Sequence, residues 1–411
     1  MNTRDSNFSL EDHLVAGLPQ PEGRFSGYPK YNFIGGHNDP GCIPSDGLAA
    51  AAVSVLERDG KALAMYGLGL GGAGYPPLRE FVARKLSRRS PGVVSADDVL
   101  ITSGSSQGVD LVNRLLVSKG DTVIIEEYAW AGALNRARAA GVEIVGAPLD
   151  AGGIRMDALE AKLADLQGRG ITPKYIYTVP TIQNPTGSVL SLERRLQLID
   201  LSRRFNVPIF EDECYADLTW TMDAPPTLYA LAPSQVVHIG SFSKSLSPAL
   251  RVAYVVADWA ILGRMLNFRT EVGALDQMIV SEFFTSHYDS HMATLTKSLQ
   301  NKLTVMTEAL EKEFGTSVEI WKPEGGIFVW VQFPDHIDVR SFTASGQEAG
   351  IAFNPGPEWT TSPEDGKNFM RLCFALPDEE TIRNGIAELA RVCFEATGLP
   401  PRSSNKSRAT D

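Results

Sequence analysis

Cysteine is scarce in this 411-residue sequence, and its four cysteines lie far apart along the chain. They are Cys42, Cys214, Cys373 and Cys393, and no two of them form a C-x-x-C pair. This spacing predicts neither a disulfide framework nor a zinc site. Because unpaired cysteines are typical of a reducing compartment, we expect a cytoplasmic protein.

An excess of positive charge and long apolar runs are also lacking. The formal net charge is −11 at pH 7, which argues against a nucleic acid or an anionic membrane as a partner. No apolar run reaches the length of a membrane span, and the first residues lack the apolar core of a signal peptide. His287 and His291 are four positions apart, but no acidic ligand accompanies them in an H-E-x-x-H pattern, so we predict no metal site.

The hydrophobic content, 43% of the residues, is that of an ordinary folded protein with a sizeable core. From residue 97 to residue 256, short apolar runs typical of strands alternate with longer helical patterns. This alternation predicts an α/β fold in which helices cover both faces of a mostly parallel sheet. Ligands of such sheets bind beyond the carboxyl ends of the strands.

The same patterns predict a large domain, a smaller α/β domain and an arm. Residues 1–46 form an N-terminal arm that contributes to the small domain, residues 47–285 the large domain, and residues 286–411 the C-terminal small domain. The segment 258–310 is mostly helical and far exceeds the usual helix length, so we expect a break within it. A short helix is expected near residues 9–16, and the polar tail from about residue 399 is expected to be disordered.

One lysine, Lys244, lies among hydroxyl residues in a loop between two strand-like runs. A lysine at the edge of a sheet becomes a nucleophile when its surroundings disfavour the ammonium form. Ser241, Ser243 and Arg251 supply the short donors and the planar fork that a phosphate needs. The combination suggests a phosphorylated aldehyde held as a Schiff base, which is pyridoxal phosphate (PLP). The alternative is a surface loop with a solvated lysine.

Polar residues follow two further strand-like runs. Asn184 lies in an Asn-Pro-Thr-Gly turn, where its amide is able to bond a phenolate oxygen. Asp212 follows an apolar strand, and a buried carboxylate needs a cationic partner such as a pyridinium N–H. Tyr215, three residues later, is within reach of the same phenolate. The alternatives are a plain turn, a capping or salt-bridging aspartate and a packed tyrosine.

Four more residues are candidates for binding an anion or a flat ring. Ser105 and Ser106 begin a helix after a strand, where free backbone N–H groups bind anions, although simple N-capping fits equally well. Trp130 opens the next helix and either stacks on a ring or packs in the core. Arg371 lies inside an apolar strand and pairs either with a substrate carboxylate or with an internal acid.

Glycines in two loops permit a close approach of the backbone to a ligand. Gly36 lies in a turn-rich stretch near the N-terminus, where we predict contact with the substrate. The segment from Gly69 to Gly74 matches the G-x-G-x-x-G dinucleotide fingerprint, but no clear strand precedes it. We therefore favour a flexible loop there over a nicotinamide or flavin site.

The order and spacing of these motifs resemble those of the fold-type I PLP-dependent aminotransferases of class I/II. The likeness extends over roughly residues 32–392 and is strongest to the 2-aminoadipate, kynurenine and valine-type enzymes, whose domain also occurs in MocR-like regulators. The motifs that carry it are Asn-Pro-Thr-Gly at Asn184, Asp-x-x-Tyr at Asp212, Ser-x-Ser-Lys at Ser241 with the following arginine, and Arg-Leu-x-Phe at Arg371.

The resemblance implies a role for each of these residues. Lys244 would form the Schiff base and act as the general base in a ping-pong transfer of an amino group from an α-amino acid to a 2-oxo acid. Asp212 would bind the pyridine nitrogen, and Asn184 and Tyr215 the phenolate oxygen. The phosphate would be bound by Ser105, Ser106, Ser241, Ser243 and Arg251, and Trp130 would cover the face of the ring. Arg371 would bind the substrate carboxylate, and Asn184 would also contact the substrate.

The resemblance also implies a homodimer with shared active sites, because Tyr66 matches a tyrosine that reaches the phosphate of the partner subunit. The sequence departs from the family at three places. Residues 67–74 form a longer loop than usual, Cys373 stands where asparagine is commoner, and Asn354 stands where an apolar residue is usual. These departures leave open a PLP-dependent lyase, a racemase or a carbon–carbon-bond-forming enzyme. A regulatory sensor and a nicotinamide oxidoreductase fit the motifs less well.

Overall fold

The structure is a computed structural model that describes residues 9–15, 18, 21, 23–90, 92, 94–220 and 223–400. Apolar side chains at helical spacing form α-helices throughout this part of the chain. They are α1 (Ser45–Asp59), α2 (Pro76–Ser87), α3 (Ser105–Leu116), α4 (Ala131–Ala139), α5 (Met156–Gly168), α6 (Leu192–Phe205), α7 (Leu228–Leu231), α8 (Trp259–Met265), α9 (Ala274–Glu313), α10 (Thr343–Glu348) and α11 (Glu379–Thr397).

The strands coincide with short runs of β-branched and other apolar residues. They are β1 (Tyr31–Asn32), β2 (Val99–Ser103), β3 (Thr122–Glu126), β4 (Glu143–Ala147), β5 (Leu149–Asp150), β6 (Gly153–Ile154), β7 (Ile176–Thr178), β8 (Ile209–Asp212), β9 (Val236–Ser241), β10 (Val252–Val256), β11 (Glu319–Trp321), β12 (Phe328–Gln332), β13 (Ile351–Ala352), β14 (Asn354–Pro355) and β15 (Phe369–Cys373).

Seven strands form the large sheet in the order β2-β10-β9-β8-β7-β3-β4. Strands β9, β8, β7, β3 and β4 pair in parallel, whereas β10 is antiparallel to both of its neighbours, β9 and β2. The central strands are buried along their whole length, as expected of a sheet that helices cover on both faces. The prediction of an α/β fold with a mostly parallel sheet is confirmed.

This topology places several strand ends at one edge of the sheet. Because β2 and β9 are both antiparallel to β10, they run in the same direction as each other, and β8, β7 and β3 share that direction. The polar segments that the sequence singled out follow the carboxyl ends of these five strands. These polar segments therefore lie close together at one edge of the sheet.

The C-terminal part contains a second, antiparallel sheet in the order β11-β12-β15-β14. The N-terminal segment joins this part, because β1 pairs in parallel with β13. A break in the helical segment 258–310 does occur, between α8 and α9, but α9 then continues for 40 residues without interruption. The helix expected near residues 9–16 is a single 3-10 turn, Leu10–His13. Most of the tail, residues 401–411, lies outside the described residues.

The described part of the chain lacks two further features. None of its helices combines the length and the apolar character needed to cross a membrane. Its histidines, cysteines and acidic residues form no cluster that could hold a metal ion.

Candidate active site

A cavity of about 140 Å³ lies at the edge of the large sheet where the strand ends meet. It contains all but three of the residues that the sequence singled out as site residues. Its lining consists of Ser105, Ser106, Trp130, Val179, Asn184, Asp212, Cys214, Tyr215, Ser241, Ser243, Lys244, Pro248 and Arg251. The three that do not line it are Gly36, Tyr66 and Arg371.

Lys244 enters the cavity from the loop that follows β9. Its Nζ donates a hydrogen bond to the backbone carbonyl of Gly36 at 2.6 Å. No carboxylate lies within ion-pair distance of this amine among the residues that the structure describes, and desolvation by burial lowers the pKa of Lys244. A lysine in these surroundings holds its proton less firmly than one in water, which favours nucleophilic chemistry.

Asp212 ends β8 as a buried carboxylate. Its Oδ2 accepts a hydrogen bond from the Tyr177 hydroxyl at 2.8 Å, and its Oδ1 accepts one from the backbone N–H of Cys214 at 3.3 Å. Neighbouring Glu211 and Glu213 both have Arg195 as an ion-pair partner, but Asp212 has none within the described chain. Burial raises the pKa of Asp212. The carboxylate is therefore available to a cation that enters the cavity.

Asn184 connects two parts of the site. Its Nδ2 donates to the Tyr215 hydroxyl at 3.2 Å, and its Oδ1 accepts from Nη1 of Arg371 at 3.2 Å. Arg371 comes from β15 of the second sheet, whereas Asn184 and Tyr215 belong to the large sheet's loops. A hydrogen-bonded line thus runs from the cavity to the predicted carboxylate-binding arginine.

The guanidinium of Arg371 is buried between two aromatic rings. Its Cζ lies 3.9 Å from the ring centre of Phe328 and 3.6 Å from that of Trp359. Nη2 donates to the carbonyl of Gly35 at 2.9 Å and to Oδ1 of Asn354 at 2.7 Å. Within the described chain no acid pairs with Arg371, and burial lowers its pKa to about 10. An internal salt bridge therefore does not account for this buried arginine.

The other end of the cavity has the properties of an anion site. Helix α3 begins at Ser105 without a side-chain cap, after Gly104 with φ +78°. The Arg251 guanidinium reaches the same place through a long hydrogen bond, 3.4 Å, to the Ser103 carbonyl. A Cβ added to Gly104 would lie 1.9 Å from Arg251 Nη2, so only glycine permits this approach. Backbone N–H groups at a helix start together with a guanidinium favour a phosphate.

The remaining predicted residues are placed as follows. Trp130 lines the cavity directly before α4, and its ring contacts the Arg136 guanidinium. Tyr66 is 94% exposed and is not one of the described residues that line the cavity. The glycine motif from Gly69 to Gly74 follows a 3-10 turn rather than a strand, so it lacks the context of a dinucleotide fingerprint.

Two residues that hold site side chains in place were not predicted from the sequence as site residues. Tyr177 lies inside a strand-like run, where a buried tyrosine hydroxyl needs a partner, and Asp212 provides it. Asn354 was noted only as unusual, and its position opposite Arg371 in the β14–β15 pair depends on strand register.

The site fits PLP on its own geometry. The buried Asp212 carboxylate, which no cation of the described residues pairs with, matches the ring nitrogen. The half-buried Lys244 matches the aldehyde, and the uncapped start of α3 beside Arg251 matches the phosphate. The fold and the site thus define a PLP-dependent enzyme with an α/β fold of type I.

Comparison with known proteins identifies the family within this class. The family model described as "Aminotransferase class I and II" matches residues 48–389, so the chain belongs to that family. It is 31% identical to aromatic-amino-acid aminotransferase 1 of Thermococcus litoralis, over 89% of this chain and 88% of the relative.

Two solved structures support the same assignment. LysN, the α-aminoadipate aminotransferase from Thermus thermophilus in complex with N-(5'-phosphopyridoxyl)-L-leucine, matches with a TM-score of 0.82 and 30% identity, over 90% of this chain and 93% of that one. The kynurenine aminotransferase of Pyrococcus horikoshii matches with a TM-score of 0.84 and 30% identity, over 90% and 92% of the two chains. The chain is a PLP-dependent aminotransferase.

Proposed function

We propose the following roles for the cavity residues in amino-group transfer. Lys244 would hold the cofactor, and its amine would remove the proton from the substrate α-carbon as general base. Asp212 holds the ring nitrogen in its protonated form, and Tyr215 and Asn184 donate to the phenolate oxygen. The bound cofactor supplies a carbonyl that captures the amino group and a ring that withdraws electrons.

The phosphate would be held at the other end of the cavity. The N–H groups at the start of α3 and the hydroxyls of Ser105, Ser106, Ser241 and Ser243 surround this end together with Arg251. Trp130 lines the cavity and would cover one face of the ring. Each of these groups is a donor or a flat surface, which suits the anionic and aromatic parts of the cofactor respectively.

The observation that carries the proposal is the hydrogen-bonded line from Tyr215 through Asn184 to Arg371. Only the side chain of Asn184 would separate a carboxylate bound by Arg371 from the cofactor oxygen that Tyr215 and Asn184 would hold. An α-amino acid bound this way has its amino group directed into the cavity, towards Lys244. Amino acid and 2-oxo acid bind alike, because both carry a carboxylate beside the reacting carbon.

The visible absorption spectrum of the purified protein tests the proposal. Aromatic amino acids, kynurenine, 2-aminoadipate, leucine and alanine would be added in turn, and the 2-oxo acid released would be measured. We expect the band of the lysine-bound cofactor to disappear with at least one donor while a 2-oxo acid forms. Loss of the amino acid without a 2-oxo acid would instead indicate a lyase or a bond-forming enzyme. The Lys244→Ala variant should bind PLP without covalent attachment and lose turnover, and retained turnover would contradict the role of Lys244.

The exposure of Tyr66 supports a homodimer in which each subunit completes the site of the other. Tyr66 is not among the residues that line the cavity, and it is 94% exposed. Mixing Lys244→Ala subunits with Tyr66→Phe subunits tests this arrangement, because each mixed dimer then contains one unaltered site. Unfolding and refolding the mixture should recover about a quarter of the wild-type activity. Recovery of no activity would exclude a shared site.

Two further proposals concern the chain as a whole. The four cysteines are all unpaired, which supports a reducing compartment such as the cytoplasm. The pairing of β1 with β13 supports an arm, residues 1–46, that contributes to a small domain, residues 286–411, beside the large domain, residues 47–285. Helix α9 runs across the boundary between the last two.

A further inference from the structure

Asn354 makes the shortest hydrogen bond to the arginine that would bind the substrate carboxylate. It lies in β14 directly opposite Arg371 in β15, and its Oδ1 accepts a hydrogen bond from Arg371 Nη2 at 2.7 Å. Because a guanidinium can only donate, the oxygen of the amide, not its nitrogen, must face Arg371. The orientation of this side chain is therefore defined.

The five N–H donors of Arg371 are unequally used. Both hydrogens of Nη2 are engaged, one by the carbonyl of Gly35 at 2.9 Å and the other by Asn354. Nη1 donates to Asn184 at 3.2 Å, and the buried Nε–H has no partner among the described residues. A carboxylate that binds Arg371 in a bidentate manner needs Nη2 together with either Nη1 or Nε. It must therefore replace one of the two Nη2 acceptors.

Gly35 is the acceptor that is able to leave. It belongs to an irregular segment, has φ +77° and precedes a second glycine, Gly36. Asn354, in contrast, is held by the backbone pairing of β14 with β15. The rings of Phe328 and Trp359 fix the plane of the guanidinium but not its direction within that plane. Once Gly35 has left, two hydrogen bonds set that direction, and the one to Asn354, 2.7 Å, is shorter than the one to Asn184, 3.2 Å.

We propose that Asn354 is a positioning residue, which orients Arg371 so that the edge now facing the Gly35 carbonyl receives the substrate carboxylate. This inference rests on the proposed function, in which Arg371 binds that carboxylate. An apolar residue at position 354 could not accept a hydrogen bond from Arg371. Without Asn354, and with the Gly35 carbonyl displaced, the guanidinium keeps only the longer 3.2 Å hydrogen bond to Asn184. Its direction is then less firmly fixed, and binding a carboxylate requires it to be ordered first.

The test uses the holoenzyme and the variant Asn354→Leu, which has nearly the same shape but no acceptor. Half-saturation concentrations would be measured from the cofactor band with two pairs of probes, phenylalanine with 2-phenylethylamine and leucine with 3-methylbutylamine. The amines lack only the carboxylate. We expect the variant to weaken binding of the amino acids about tenfold, the effect of one hydrogen bond to a charged group. Binding of the amines, the cofactor spectrum and thermal unfolding should be unchanged.

A second background separates orientation from general damage. In Arg371→Leu the carboxylate site is already absent, so adding Asn354→Leu should weaken amino acid binding no further. An additional loss in that background, or an equal loss for amines and amino acids, would overturn the role of Asn354. If the wild-type enzyme itself did not prefer amino acids to amines, the carboxylate role of Arg371 would fail instead. If it did and Asn354→Leu kept the full preference, only the inference about Asn354 would fail.

Discussion

Replacing Gly104 by alanine should weaken cofactor binding by displacing Arg251. Gly104 immediately precedes α3 and has φ +78° and ψ 160°, a conformation that is essentially restricted to glycine. An alanine Cβ at this position would lie 1.9 Å from Nη2 and 2.6 Å from Cζ of Arg251. Since backbone on both sides is held by β2 and α3, the arginine side chain has to move away.

The magnitude follows from two separate costs. The unfavourable backbone conformation lowers the free energy of unfolding by about 1–3 kcal/mol. Loss of a hydrogen bond between Arg251 and the phosphate removes about 1.5–3 kcal/mol of binding free energy, which raises the Kd for PLP about 10- to 100-fold. Titrations of the apo protein with PLP, followed by the absorption band, measure this directly. Pyridoxal, which lacks the phosphate, should bind both proteins equally.

Gly120→Ala provides the matched control. Gly120 also has a positive φ, +88°, but a Cβ there would meet no atom within 4 Å. Both variants should therefore unfold at a lower temperature, and only Gly104→Ala should lose affinity for PLP. The reasoning would be refuted if the two variants bound PLP equally well, or if Gly104→Ala lost as much affinity for pyridoxal as for PLP.

Three further substitutions test the surroundings of the cavity. In Gly36→Ala the new Cβ would lie 2.5 Å from Lys244 Nζ, although the backbone at this position accepts alanine. We expect normal thermal unfolding but a kcat reduced about 100-fold. An unchanged kcat would contradict this prediction. Burial raises the pKa of Glu126 from 4.5 to about 7, so the folded apo protein keeps this proton to higher pH than the unfolded chain. The free energy of unfolding of the apo protein should therefore decline by up to about 3 kcal/mol as the pH rises from 4.5 to 7. Glu126→Gln should lack this decline when urea unfolding is compared at pH 5 and pH 8. Tyr177→Phe removes a hydrogen bond that lowers the pKa of Asp212, so the acid limb of the kcat/KM profile should move to higher pH, and an unmoved limb would exclude this role.

Much of the fold was predictable because its elements are encoded locally. The alternation of strand-like and helical patterns from residue 97 to residue 256 is present in the structure, as in helix α6 and strand β10, since apolar periodicity is a property of neighbouring residues. The contents of the cavity were predictable for a related reason. In parallel sheets the carboxyl ends of strands share one edge, so polar residues that follow several strands come together.

Other features could not be predicted from local patterns. The antiparallel insertion of β10 between β2 and β9 is a choice of strand order, which no single run of residues records. Helix α9 continues for 40 residues because its buried side chains contact several elements along its length, and these contacts outweigh the usual preference for shorter helices. The partner of the Asp212 carboxylate, Tyr177, became apparent only once the pairing of β7 with β8 was known.

The amino-acid sequence alone determined which segments form strands and helices, and that a lysine, an aspartate, an asparagine and an arginine follow or occupy strands of a PLP enzyme. Only the tertiary structure decided how these groups meet. Arg371 bonds to Asn184, 187 positions away, and to Asn354 on the neighbouring strand. The physical reason is that such contacts depend on strand order, register and the packing of one sheet against another. These are set by the whole chain at once, because each strand is stabilised only by the neighbours that cover it.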